Sequence, residues 1–482
     1  MMVGKRKLTV GLTALLTLSM MGWRCNDKKE ATPTPPPPPS VPVDVAFYLT
    51  KPDKSVLFTP QENSVSEATN SNLPLIEIDP ATTFQTMDGF GFALTGGSAM
   101  HLHNMSAAKR HALLMELFDD NDNNIGISYL RVSIGASDLD ASVFSYDDLP
   151  SGETDVNMDH FSLAPDRQYL IPVLKEILTI DPNIKILGSP WSAPLWMKTD
   201  NNSVGGSLKP EYYDAYAKYF VKYIQGMAQE GITIDAITIQ NEPLHDGNNP
   251  SMYMPASEQA AFIKTSLGPA FKAADINTKI IVYDHNCDRT DYPAEIYKDA
   301  DALQYVDGAA FHLYAGSINS LAALHNSYPD KSLYFTEQWI GAPGDFPNDL
   351  KWHTRELIIG ASRNWCKTVL EWNLAADSSL QPHTDGGCSQ CLGALTIDGD
   401  NVKRNPAYYI IAHASKFVRP GSKRISSNQP NNLPNVAFKT PDGSTVLIVL
   451  NDALVTQAFN MKLGDETVSS TLAGGAVGTY IW

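Results

Sequence analysis

The sequence predicts an α/β fold: a (β/α)8 TIM barrel with a β-sandwich side domain built from both termini. Three observations predict it. From residue 87 onward, short apolar runs rich in β-branched residues alternate with longer segments of helical period. Eight such runs can be counted, the strand number of a closed parallel barrel and more than an open doubly wound sheet usually needs. The two ends of the chain read differently. "VAFYLT" and "LPLIEID" between 45 and 80, and "NVAFKTPDGSTVLIVLND" near the C-terminus, have β character, and Pro-Asp-Gly splits the last run as a hairpin turn does.

Taken in order, residues 1–25 read as an export leader, with Lys5, Arg6 and Lys7 before an apolar stretch at 8–21 and Cys25 behind it. Acylation of Cys25 is one expected outcome. Ordinary cleavage or a retained anchor is the alternative, because bulky Trp23 and charged Arg24 stand where lipoprotein cleavage sites carry small residues. Residues 26–44 are charged and then proline-rich, a semi-rigid extended tether. The expected location is outside the cytoplasm, in the periplasm or as a lipoprotein of the outer membrane or cell surface. Residues 45–86 are expected to form the first part of the side domain, 87–404 the barrel and 405–482 the second part. Barrel strands are expected at 89–94, 127–134, 184–191, 235–241, 279–284, 306–314, 332–337 and 367–373. Their near-continuous apolar character suits burial on both faces. Amphipathic helices lie between them, as in "SAAKRHALLMELF" and "DRQYLIPVLKEIL", with Ser106 as an N-cap.

Composition narrows the partners. With 36 basic against 53 acidic residues the formal charge is -17, which repels phosphate backbones and argues against nucleic acid. Beyond the leader no run reaches the length of about 20 apolar residues needed to span a bilayer. Membrane contact is therefore expected only through the N-terminal anchor. Cys388 and Cys391 are expected either to form a disulfide across a short loop or, with His383, to bind metal. The second option lacks a further ligand pair at matching spacing, and no metal or other cofactor is expected.

In a barrel of this kind the chemistry sits where strands end. "TIQNEPLH" puts Asn241 and Glu242 at the exit of strand four, and "SLYFTEQW" puts Glu337 at the exit of strand seven. About three βα units separate them, so they project toward one mouth from opposite sides. Two facing carboxyls are the minimum machinery for cleaving a glycosidic bond: one protonates the leaving oxygen, the other attacks the anomeric carbon or activates water. A loop carboxylate or a structural ion pair is the plainer reading of either one alone. Arg131 is a cation inside an apolar strand, costly to bury unpaired. Beside Glu337 it would hold that carboxylate ionised; a purely structural salt bridge is the alternative. His312 and Tyr314 are placed to hydrogen-bond the carboxylates, and Trp191, Trp339 and Trp372 to stack on sugar faces or to pack the rim. Asp138 lies in an acid-rich loop.

The segments "MDGFGFALTGGSA", "LRVSIGASDLD", "GSPWSAPLWMKT", "ITIQNEP", "FHLYAG", "FTEQW", "EWNLA" and the terminal "GTYIW" resemble glycoside hydrolase family 30, the glucosylceramidase-like and β-1,6-glucanase-like retaining enzymes. The resemblance covers nearly everything after residue 85. Asn-Glu-Pro is clan-wide, whereas the Ser-Pro-Trp-Ser-Ala-Pro segment is more specific. The resemblance implies Glu242 as general acid/base, Glu337 as nucleophile and Asn241 as a partner of the sugar 2-hydroxyl. It implies Asp138 and Trp191 as ligands of the outer hydroxyls of a glucose. Gln338, Trp339 and the "HTDGGCSQC" loop depart from the animal glucosylceramidase pattern.

The implied activity is that of a retaining β-glycoside hydrolase, first an endo-β-1,6-glucanase acting on pustulan-type β-glucan polysaccharide or oligosaccharide. A glucosylceramidase or other exo-β-glycosidase is the alternative. A non-catalytic surface glycan-binding lipoprotein is a remote third reading, disfavoured because both carboxylates are present.

Overall fold

The computed structural model describes residues 44–482 except 63, 69, 122 and 123. The leader, Cys25 and the tether up to residue 43 lie outside the described residues.

Eight parallel strands close into a barrel in chain order: Gly89–Ala93, Tyr129–Ser133, Lys185–Ser189, Ala236–Thr238, Lys279–Asn286, Val306–His312, Ser332–Glu337 and Cys366–Asn373. All eight expected strands are present. Five end earlier than expected, two of them by one residue and three before Trp191, Asn241 and Tyr314. The last three stand in the loops that rise from the strand ends, where the N–H groups of Asn241 and Tyr314 find other acceptors. Asn241 N–H bonds Pro190 O at 2.7 Å, and Tyr314 N–H bonds the Asn286 side chain at 2.9 Å. Gly91 is required in the first strand, because a Cβ there would lie 1.9 Å from the Tyr129 carbonyl oxygen.

The barrel interior is layered. Tyr129, Leu187, Ala236, Ile281, Ala310, Tyr334 and Leu370 form one buried apolar cluster, one residue from each of seven strands. Side chains on a strand repeat with period two. Two residues further along come Arg131, Ser189, Thr238, His312, Thr336 and Trp372, five of them polar. Strand five breaks the period. Its register against strand six shifts after Tyr283, and Tyr283 and Asp284 both occupy the left-handed region, at φ 74° and 71°. A bulge of this kind re-aims side chains. Asp284 points inward, while Tyr283 packs outward on Tyr292 of helix Asp291–Tyr297, with ring centroids 4.8 Å apart.

Both termini build the side domain, as expected. Ala46–Thr50 pairs with the last strand, Val477–Ile481, and Leu75–Thr86 pairs with both Lys423–Ser427 and Gln457–Leu463. The hairpin expected at Pro-Asp-Gly joins Asn435–Lys439 to Thr445–Leu450. Phe47 stacks on Tyr480 at 4.6 Å, and Tyr480 meets Phe459 edge-on at 6.1 Å, in a core of its own. Helix Pro406–Ser415 packs between the first barrel strand and the last strand of this sheet. Helix Ala107–Phe118 starts behind Ser106, but the Ser106 side chain does not cap it; its N–H goes to Asp400 at 2.7 Å. Among the described residues no helix is long and apolar enough to cross a membrane.

Candidate active site

Glu242 and Glu337 meet at the mouth. A carboxylate oxygen of each and one ring nitrogen of His312 all lie within 4.8 Å of one another. Glu337 ends strand seven, and both its oxygens accept hydrogen bonds: Oε2 from Arg131 Nη1, Oε1 from the Tyr314 hydroxyl at 2.9 Å. Glu242 stands in the loop after strand four in the left-handed region at φ 44°, and its N–H bonds the Asp284 carbonyl oxygen at 3.0 Å. Its Oε1 lies 3.0 Å from His312 Nδ1. Residues held in sparsely populated backbone conformations gather at functional sites when the surroundings over-determine them. Here Glu242, Tyr283 and Asp284 are three such residues around one mouth.

Beneath the pair, Asp284 is a fully buried hub. Its Oδ2 accepts from Arg131 Nη2 at 2.8 Å, Ser189 Oγ at 2.8 Å and Thr238 Oγ1 at 2.7 Å. Its Oδ1 accepts from Thr336 Oγ1 at 2.6 Å and lies 3.1 Å from His312 Nε2. Burial alone would raise its pKa, but Arg131, His312 and Thr336 together drive it far below the ordinary carboxylate range. His312 has a carboxylate on each ring nitrogen, so both nitrogens act as donors and the ring is an imidazolium. Burial opposes that charge, yet Glu337, Asp284 and Glu242 lift its pKa to about 9. Arg131 is clamped between Asp284 and Glu337, with Trp191 over its guanidinium at 4.8 Å.

The carboxyl pair differs in its neighbours. Burial presses the Glu337 pKa upward, reinforced by the negative charges of Glu242 and Asp284 and opposed by His312 and Arg131, and the net direction is up. For Glu242 burial acts the same way, but the hydrogen bond and charge of His312 outweigh it and bring the pKa down. Asp138 is pushed up to about 7, first by burial and then by the charge of Glu337.

Above the pair opens a pocket of about 370 Å³. Of the residues singled out from the sequence, Asp138, Trp191, Asn241, Glu242, Tyr314, Glu337, Trp339 and Trp372 line it, while Arg131 and His312 lie buried below. Trp191 and Trp372 pack together at 5.4 Å. Asn241 Oδ1 accepts from Arg131 Nη2 at 2.6 Å, which leaves its amide NH2 as a donor. Cys388 and Cys391 are joined by a disulfide. The alternative that His383 binds metal with them fails for that reason: the sulfurs bond each other, and the His383 ring nitrogens reach Gln381 at 3.0 Å and Thr384 O at 2.8 Å.

The sequence reading missed Asp284, along with His245, Asn248, His285 and Asn286 in the wall. A signal existed for Asp284 and His285: "KIIVYDHN" is an apolar run ending in polar residues, the same signature that exposed Asn241 and Glu242. His285 is neutral, its pKa lowered to about 4 chiefly by burial, and its Nδ1 is buried without a protein partner.

The family model described as the glycosyl hydrolase family 30 TIM-barrel domain matches residues 87–418, and that for the family 30 beta sandwich domain matches residues 421–480. An endo-1,6-beta-D-glucanase of Aspergillus fumigatus is 35% identical over 413 residues, 79% of this chain and 82% of that one. The lysosomal acid glucosylceramidase of Mus musculus is 28% identical over 439 residues, 85% of this chain and 83% of that one. Among solved structures, an endo-beta1,6-glucanase matches with a TM-score of 0.85 at 39% identity, over 91% of this chain and 99% of that chain. Both the barrel and the sandwich are matched over nearly their whole length: the chain belongs to glycosyl hydrolase family 30 and is a glycoside hydrolase.

Proposed function

We propose that the protein is a retaining endo-β-1,6-glucanase that cleaves pustulan-type glucan through a covalent glycosyl-enzyme. The observation that carries the retaining mechanism is that a carboxylate oxygen of Glu242 lies within 4.8 Å of one of Glu337, too close for the gap an inverting pair leaves for water. Retaining pairs stand about 5 to 5.5 Å apart, whereas inverting pairs leave about 6.5 to 9.5 Å for a water. The β-1,6 linkage is supported by the glucanase relatives at 35% and 39% identity.

In this mechanism Glu337 Oε1 or Oε2 attacks the anomeric carbon while Glu242 gives a proton to the departing glycosidic oxygen. The carbon–oxygen bond breaks and a glycosyl ester forms on Glu337. Arg131 and Tyr314 donate to Glu337 and favour its ionised form even though burial presses its pKa upward. Substrate expels water from the mouth and so raises the Glu242 pKa, which readies it to carry the proton. Esterification then removes the charge on Glu337, so Glu242 becomes the weaker proton holder and takes a proton from the incoming water. The His312 imidazolium stabilises the Glu242 carboxylate each time it forms. Asn241 donates to the sugar 2-hydroxyl, and Trp191, Trp339 and Trp372 supply apolar faces for the ring. The leader and the proline-rich tether support export, with Cys25 as the point of lipid attachment.

Product analysis on β-1,6-glucan, beside a glucosylceramide and an aryl β-glucoside, tests the reading. A ladder of β-1,6 oligosaccharides with the β configuration at the new reducing end supports it. Release of glucose alone from the small substrates moves the protein to the exo-glycosidases, and products of inverted configuration overturn the covalent mechanism.

A further inference from the structure

We infer that the loop 384–392 after strand eight, closed by the Cys388–Cys391 disulfide, is a specificity-determining wall of the sugar pocket: it holds the Asp138 carboxylate where a hydroxyl of the bound sugar donates to it. The inference rests on the glycosidase reading and adds to it a positioning role for the two cysteines.

Four observations converge on this loop. Both half-cystines line the pocket that holds the carboxylate pair, and they pack with Leu139, Trp191 and Trp372. The Cys388 N–H donates to Asp138 Oδ2 at 3.2 Å, and the Thr384 N–H donates to the Asp138 carbonyl at 2.9 Å, so loop and aspartate are fixed to each other twice. Gly387 allows the approach, since a Cβ there would lie 2.4 Å from the Asp138 carbonyl oxygen. On its far sides the loop is tied to two other strand exits. Asn249, after strand four, donates to Asp385 O at 2.7 Å, and Ile340–Gly341, after strand seven, pairs with Cys391–Leu392.

The chemistry follows from this placement. A buried carboxylate beside indole faces suits a hydroxylated ring, with the carboxylate accepting from a hydroxyl and the indoles covering C–H surface. Such a contact discriminates only when the acceptor is fixed, because an acceptor that can move away tolerates a sugar lacking the hydroxyl. Gly386 and Gly387 lie side by side just before the bridge, a stretch with large conformational freedom, and the disulfide anchors its end by tying Cys388 to Cys391, which is itself paired with Gly341. The two remaining cysteines of the described chain, Cys287 and Cys366, are buried and unbridged, so this bond is the reducible element there.

The test measures kcat/KM for an aryl β-glucoside and for its 4-deoxy, 6-deoxy and xyloside analogues. It uses the oxidised protein, the protein treated with dithiothreitol, the double variant Cys388→Ser/Cys391→Ser, and Gly387→Ala. Dithiothreitol is oxidised to its cyclic disulfide as the bond becomes two thiols. The expected result is a fall of about tenfold or more in the preference for glucoside over at least one analogue, the size of one hydrogen bond to a charged group. KM should rise by a larger factor than kcat falls. Preferences that stay put, or all four substrates falling by one common factor, overturn the assignment and leave the loop a purely structural element. Should the double variant not fold, reduction of the folded protein and Gly387→Ala, which keeps the disulfide, decide the matter. A wild type inert toward β-1,6-glucan and toward every aryl glucoside overturns the functional reading and this inference together, whereas an active wild type with unmoved preferences overturns the inference alone.

Discussion

Two adjacent layers inside the barrel differ in almost every respect although two residues of strand separate them. The lower layer, Tyr129, Leu187, Ala236, Ile281, Ala310, Tyr334 and Leu370, is buried and largely apolar, and its role is to fill the barrel at interior density. The upper layer holds Arg131, Asp284 and His312 just as deeply, yet they are charged. Burying isolated charges is costly, and these remain charged because each is paired: Arg131 with Asp284 and Glu337, His312 with Asp284 and Glu242. The comparison teaches that this barrel stabilises itself in one layer and stores its electrostatics in the next. Substitutions in the two layers should therefore fail in different ways.

The largest separation is expected for Glu337→Gln. The amide keeps the shape and the Tyr314 contact but removes the nucleophile. Turnover of β-1,6-glucan should fall by at least about ten-thousand-fold, the order of loss when a covalent nucleophile is removed. The melting temperature should fall less than for loss of Asp284, because Arg131 keeps its Asp284 partner. Steady-state kinetics beside a thermal melt checks this, and a variant that loses stability in step with activity would place Glu337 among structural ion pairs.

Asp284→Asn comes next and blurs the boundary between layers. Asparagine tolerates the left-handed backbone at φ 71°, so the bulge survives while the charge is lost. Removing one partner of a buried ion pair costs about 3–5 kcal/mol. Part of that should appear as lost stability and part as lost kcat, because Arg131 and His312 are both released from their common anchor. Chemical denaturation and kinetics on the same sample measure the split. Unchanged kcat would mean that the mouth organises itself without Asp284.

How far the layers could be read from sequence follows the same divide. The apolar runs reveal their strands because burial on both faces demands them, and polar residues at run ends reveal Glu242 and Glu337 because a barrel offers little other use for them there. Arg131 and His312 follow by period two from apolar neighbours. Period two does not reach Asp284, which is marked only by its place at the end of an apolar run. Counting by two from Ile281 puts Tyr283 inside, and only the left-handed pair at 283 and 284 reverses that. The contact between Asp138 and Cys388 was equally hidden, since the sequence places them far apart and only barrel closure brings the first loops beside the last. The Ser106 cap shows the converse limit: the helix start was legible, the side-chain bond was not, because Asp400 arrives from a distant strand connection to take the Ser106 N–H.

A third substitution probes the lower layer alone. Leu187→Ala removes a fully buried side chain from it, and large-to-small changes of this kind cost about 2–5 kcal/mol. Urea denaturation should register the loss while kcat/KM on the folded protein and its pH profile keep the wild-type form. A shifted pH profile would show that the two layers are coupled.

The smallest effect, and the sharpest, is expected from His312→Asn. The imidazolium lowers the Glu242 pKa and opposes the upward push of burial on Glu337. A neutral amide does neither, so both pKa values should rise. Because the two limbs of kcat/KM report the two ionisations of this carboxyl pair in the free enzyme, the whole bell should move to higher pH, by about one unit for an interaction near 1.4 kcal/mol. The sign follows from the geometry: a cation 3.0 Å from Glu242 Oε1 and 3.8 Å from Glu337 Oε1 can only favour their ionised forms. A bell that stays in place would mean that the His312 ring is neutral in the working enzyme. A bell displaced to lower pH would reverse the charge assigned to the upper layer, and with it the reason that Asp284 is buried there.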